Sequence, residues 1–138
     1  MANNKNSKGC NVGKVYRGRT NYIDPDTKRE RNYVVVFDNG ERIKVSKLKS
    51  IKIFDDKGKN ADKALVEINQ DRYGLKMRTG VDFQVFGKNR MSGKDLRIED
   101  KRVFPERKER FTLSKKDSDR VLYHTGTKNR RNKMKKKK

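Results

Sequence analysis

The chain has 138 residues, 30% of them apolar, enough to enclose one modest core and hardly two. Its 39 lysines and arginines against 18 acids give a net charge of +21, a field that draws in polyanions and opposes almost every other macromolecular partner. No apolar run approaches the roughly 20 residues that cross a membrane, no basic amphipathic helix stands out, and the opening MANNKNSKGCNVGK lacks a secretory apolar segment. The expectation is a cytoplasmic protein with no membrane partner.

Residues 1 to about 11 are polar, rich in Asn and Lys, and expected to be mobile. Cys10 is the only cysteine, which excludes an internal disulfide and a cysteine-based zinc cluster. Gly13-Lys14-Val15-Tyr16-Arg17 is short and β-prone, and Asn21 to Asp26 carries the Asp-Pro punctuation of a loop. Tyr33-Val34-Val35-Val36-Phe37 then forms a continuous apolar run, the pattern of a central strand buried on both faces. Asn39-Gly40 follows directly and suits the positive φ angles of a type I′ turn. With Ile43 and Val45 alternating beyond it, this is the clearest hairpin in the sequence.

Ile51-Lys52-Ile53-Phe54 reads as a further short β segment closed by the polar turn from Asp55 to Asn60. Ala64 to Ile68 and Val81 to Phe86 each fit a strand, joined through Tyr73-Gly74-Leu75. Several short strands at this spacing predict a mainly β fold, a small barrel or strongly curved antiparallel sheet, because a flat sheet this small leaves its edges exposed. One helix is predicted from about Lys115 to His124. Ser114 is its N-cap, Asp117 lies in its first turn, Val121 and Leu122 face the body, and Gly126 is the stop. Residues 128–138 carry eight positive charges and no acid, the composition of a disordered arm that touches phosphates without reading sequence. The remainder still carries a net +13, so the single domain over residues 12–127 is basic in its own right.

Most chemistries drop out on residue type. There is no Walker-type loop, no Gly-x-Gly-x-x-Gly and no His-Glu-x-x-His. His124 is the sole histidine and suits a helix C-terminus better than a zinc site or a nucleophilic triad. Asp55 with Asp56, and Glu99 with Asp100, are sequence neighbours that point apart, so neither pair makes a good magnesium site. No metal or other cofactor is expected. What remains is arginine, lysine and hydroxyl chemistry. RNA suits it, since its 2′-OH can attack its own phosphodiester when a site supplies a base, an acid and positive charge. Nucleic acid is therefore the expected partner, RNA ahead of DNA, because no recognition helix supports a duplex-DNA reader.

Several strings in order also resemble a known family. Gly13-Lys14-Val15-Tyr16 is similar to the Gly-Asp-Val-Tyr opening of the MazF/PemK toxins, the ribonucleases of bacterial toxin–antitoxin pairs. Arg31-Asn32 before the apolar strand resembles that family's Arg-Pro, and Leu48-Lys49-Ser50 its Leu/Ile-Thr-Ser-like triplet. Leu65-Val66-Glu67-Ile68 through Tyr73-Gly74-Leu75 resembles its Val-Glu-Ile, spacer and Tyr-Gly-Leu, with Val81 to Phe86 in the place of its last long strand. The resemblance spans about residues 13 to 95. It implies an SH3-like barrel, a homodimer with an antitoxin protein as partner, and metal-independent cleavage of single-stranded RNA by Arg31 with Lys49 or Ser50. Asn32 stands where the family has proline, and Lys49 where alignment puts the hydroxyl, leaving Ser50 beside it.

From the residues themselves, Arg31 at a strand mouth suits an acid or a bidentate phosphate contact, and is also readable as a solvated member of the loop Lys28 to Arg31. Arg29, Lys76, Arg78, Lys88 and Arg90 are candidates for the RNA backbone, or ordinary surface charge. Tyr16, Tyr22 and Phe86 are candidates for stacking on bases, or core aromatics. Two functions follow: a toxin-type endoribonuclease, or a noncatalytic basic SH3-like module that binds RNA or a ribonucleoprotein.

Overall fold

Tyr33, Val34, Val35 and Val36 run through the middle of the protein, each no more than 1% exposed. They belong to the longest strand of a computed structural model that describes residues 11–24 and 29–126. The elements in chain order are β1 (Lys14–Arg19), α1 (Thr20–Ile23), β2 (Glu30–Asp38), β3 (Ile43–Ser50), β4 (Leu65–Glu67), β5 (Thr79–Asp82), β6 (Phe111–Thr112) and α2 (Lys115–His124). The six strands make one antiparallel sheet in the order β4-β5-β3-β2-β1-β6, curled into a half-barrel. The chain is thus mainly β with one C-terminal helix, as its strand spacing and its single capped helix predict. The expectations for residues 1–10 and for the basic tail at 128–138 lie outside the described residues.

The unbroken apolar run of β2 has a structural cause: both faces of the curled sheet are covered. Tyr33 and Val35 point into one cluster with Tyr16, Ile23, Val45, Phe86, Leu96 and Phe104. Val34 and Val36 alternate into a second cluster with Val15, Leu48, Val66, Val81, Leu113 and Val121. Helix α2 covers the second face with Val121, and Leu122 packs partly buried beside it. Its N-terminus is fixed by sequence-local chemistry, since Ser114 Oγ accepts from Asp117 N at 3.2 Å. Asp117 Oδ2 in turn accepts from Tyr73 OH at 2.7 Å and from Asn69 N at 3.1 Å, which ties the helix to the segment after β4. Burial holds the Tyr73 phenol above its ordinary range, with Ser114 hydrogen bonds working against the shift and Asp117 adding to it.

The first face is covered by α1 and by the segment from Phe86 to Phe104. Gly18 of β1 makes that approach feasible. A Cβ there would sit 2.9 Å from Ile23 Cδ1 and 3.0 Å from a Tyr33 ring carbon, so only glycine lets α1 lie this close to the sheet.

The hairpin joins β2 and β3 as expected, but its turn is longer. Asn39 to Arg42 form a four-residue loop in which Asn39 N bonds Arg42 O at 3.2 Å and Asn39 Oδ1 accepts from the backbone of Glu41 and Arg42. Gly40 has φ +90°, whereas Asn39 is not among the positive-φ residues, which excludes a type I′ turn. Residues 51–53 form no strand, and Phe54 makes one isolated bridge to Asn60. Ile53 and Phe54 lie 54% and 44% exposed, so alternation alone did not give this segment a face to bury. The strand predicted at Val81 to Phe86 is shifted: β5 ends at Asp82, and Phe86 rejoins β3 through a single bridge to Val45.

Candidate functional site

Strand β3 changes partners along its length, and this places the basic residues. Its first half pairs with β2 as far as Tyr33↔Lys47, and its second half pairs with β5 from Leu48↔Val81 to Ser50↔Thr79. On the free side of its first half, Val45 and Ile43 bridge to Phe86 and Leu96, which draws residues 83–90 against the sheet. A groove of about 690 Å³ opens there, walled by Phe37, Phe83, Val85 and Phe86, by Ile23 and Thr125, and by Lys44, Lys88 and Arg90. Lys44 Nζ lies 5.3 Å and Arg42 Cζ 5.8 Å from the Phe37 ring centre. Phe83 is stacked on His124, with centroids 5.0 Å apart and planes within 15°, so the C-terminal end of α2 braces one wall.

Behind this groove lies a polar corner. Lys47 Nζ donates to Asp24 Oδ2, with side chains 13% and 6% exposed, and sits 5.9 Å from the Phe86 ring centre. Tyr33 OH, Thr20 Oγ1 and Arg31 Nε are buried here without a hydrogen-bond partner. The two hydroxyls are neighbours, yet their geometry falls short of a hydrogen bond. Burial raises the Tyr33 phenol above its ordinary range, opposed by the nearby Thr20 hydroxyl, reinforced by the Asp24 carboxylate and opposed again by Arg31.

The predicted site residues separate into three groups. Lys88 and Arg90 come together on the groove, with Phe86 as a wall only 7% exposed. Arg31 and Lys49 lie at one end of the β2–β3 pair, each two residues beyond the Tyr33↔Lys47 partners. The pleat gives Lys49 the parity of Val45 and Lys47, and gives Ser50 that of Leu48, so Ser50 faces the opposite way. Its Oγ lies 3.6 Å from Met77 Sδ.

The third group is spent on structure or stands apart from the groove. Tyr16 is 5% exposed, with its ring edge-on to Phe104 at 6.1 Å, and offers no free face to a base. Arg78 donates to both Glu67 oxygens, at 2.7 and 2.9 Å, to Gly58 O at 2.6 Å, and lies over Phe54. The Glu67 hydrogen bonds raise its pKa, so it stays charged and engaged. Arg29 and Lys76 are exposed and do not line the groove, and half-buried Tyr22 contributes only its carbonyl, to Arg90 N at 2.5 Å.

Lys44, Phe37, Phe83, Gln84 and Thr125 are groove residues that sequence reasoning passed over. Phe37 and Lys44 flank the hairpin loop at positions paired across the strands, a signal legible in the Phe37↔Lys44 register alone. The meeting of α2 with residues 83–86 is a long-range contact that no local pattern announces.

Among the described residues no three His, Cys, Asp or Glu side chains group as metal ligands, and no helix is long and apolar enough to cross a membrane. A scan against models of known protein families finds no match, and a search of curated proteins finds none either.

Proposed function

We propose that the protein binds single-stranded RNA in the groove between β3 and residues 83–90. The observation that carries this reading is the convergence of Lys44, Lys88 and Arg90 with Phe37 and Phe83 on one concave surface of a +21 chain. Cations suit the phosphates, and aromatic walls suit unpaired bases, the two parts that single-strand binders combine. A groove of about 690 Å³ also falls in the size range of pockets that hold a small ligand, which a duplex does not enter as one. Titration of the full chain with labelled single-stranded and duplex RNA, for wild type and Lys88→Ala/Arg90→Ala, tests it. Preferential single-strand binding lost in the variant supports the groove; unchanged binding in the variant removes it.

A second reading keeps the toxin-type endoribonuclease. It is favoured by Arg31 and Lys49 sharing one end of the β2–β3 pair, with Arg31 Nε unpartnered, where two cations suit the charge of a 2′-OH attack on phosphorus. Ser50 faces away from this pair, so the reading loses its hydroxyl. Incubation with single-stranded RNA in EDTA separates the two: discrete fragments from wild type and none from Arg31→Ala support cleavage, and intact but bound RNA supports the noncatalytic module.

A further inference from the structure

We infer that Gln84 reads a base in this groove and that the base it favours is adenine; this rests on the groove being a single-stranded RNA site. Most of the groove's polar groups carry charge alone. Lys44, Lys88 and Arg90 offer donors and no acceptor. Thr125 Oγ1 spends its proton on the carbonyl of Val121 at 2.8 Å. Gln84 is the groove side chain that offers both a donor and an acceptor amide group, and that amide makes no hydrogen bond to a described residue.

Its backbone is held where the side chain needs to be. Gln84 N donates to Asp82 Oδ1 at 2.9 Å, and Gln84 O accepts from Ser46 Oγ at 2.8 Å, with Ser46 fully buried in β3. Phe83 next to it is pinned by the His124 stack. A free amide on a fixed backbone beside a fixed ring is the arrangement that base reading requires, since ordering costs are met by the protein before the ligand arrives.

A carboxamide presents one acceptor beside donors. Adenine matches it on two edges, because N6–H adjoins N7 on one and N1 on the other. Guanine's N7 and O6 are both acceptors, and each pyrimidine offers a matched pair on its Watson–Crick edge only. The amide therefore finds adenine in more orientations than any other base.

The test is fluorescence anisotropy of the full chain with short uridine-rich RNAs of equal length that carry A, G, C or U at one central position. We expect the adenine-containing RNA to bind about fivefold tighter than the all-uridine one. Gln84→Leu brings it down to the others while leaving all-uridine affinity within about twofold, since no phosphate contact changes. Gln84→Glu also loses the preference, because a carboxylate has no donor for N7 or N1. Equal binding of all four RNAs by the wild type overturns the role of Gln84 and leaves the groove reading standing, as does an adenine preference that survives Gln84→Leu. Absence of RNA binding overturns both.

Discussion

Lys47 of β3 and Asp24 after α1 form an ion pair walled off from water on the inner side of Phe86. It fastens the short helix to the sheet beneath the groove, and both charges have left solvent to do so. Replacing one partner leaves the other charge in a poorly solvated place. Lys47→Met is expected to lower stability by about 3–5 kcal/mol. Asp24→Leu/Lys47→Met is expected to recover most of that loss. Urea denaturation of the two variants against wild type checks this, and a Lys47→Met loss below about 1 kcal/mol contradicts the pairing.

Tyr33 presents the opposite case, a buried hydroxyl with no partner. Removing an unsatisfied polar atom without changing shape relieves a desolvation cost, so Tyr33→Phe should leave the melting temperature unchanged or raise it. The pH dependence gives a second readout. The folded phenol titrates above the unfolded value of 10.0, so its stabilising contribution is present below pH 10 and is lost as pH rises beyond it. Tyr33→Phe should reduce the alkaline fall in stability, with Tyr73 responsible for part of what persists. A large loss of stability at neutral pH would show that the hydroxyl has a partner.

The elements whose signals are local were legible in the sequence. Helix α2 begins and ends where Ser114, Asp117 and Gly126 place it, because capping is settled within a few residues. β2 reads as a doubly buried strand because four consecutive apolar residues serve two clusters. The Ile51 to Phe54 segment misled because a strand needs a neighbour, and β5 pairs with β3 as far as Ser50 and no further. The groove was half legible. Lys88 and Arg90 are visible as charge, whereas Phe83 and Gln84 acquire their meaning from the packing of α2 and β3 around them.

Lys44, Lys88 and Arg90 differ from most basic residues of the chain in sharing one concave wall. If each meets a phosphate of a single strand, each releases a condensed counterion, and the slope of log affinity against log salt changes by about 0.7 per contact. Single alanine substitutions at the three positions should each flatten the slope by about that amount. Lys76→Ala and Arg29→Ala, outside the groove, should alter it less. Affinity measured over a range of salt concentrations decides the matter, and equal slope changes at all five positions would indicate diffuse attraction by the +21 field.

Asp100 sets the acid limit in a way that can be isolated. Its carboxylate accepts from Arg102 Nε at 3.1 Å and Nη2 at 3.0 Å and from Arg102 N at 3.0 Å, and the Arg102 side-chain hydrogen bonds lower its pKa below the ordinary 3.8. A depressed carboxylate contributes stability that is present above the unfolded value and lost as pH falls through the folded one. The turn it holds leads directly into Val103 and Phe104, whose amides bond Asp100 O and whose side chains are fully buried. Arg102 is 59% exposed, so solvent screens the pair, and Asp100→Asn should cost about 0.2–1 kcal/mol at neutral pH. Because the variant lacks the titrating group, its difference from wild type should shrink as pH drops below 3.8. Thermal melts of both proteins between neutral pH and pH 3 measure this, and a difference that stays constant across that interval would assign the loss to turn geometry instead of charge.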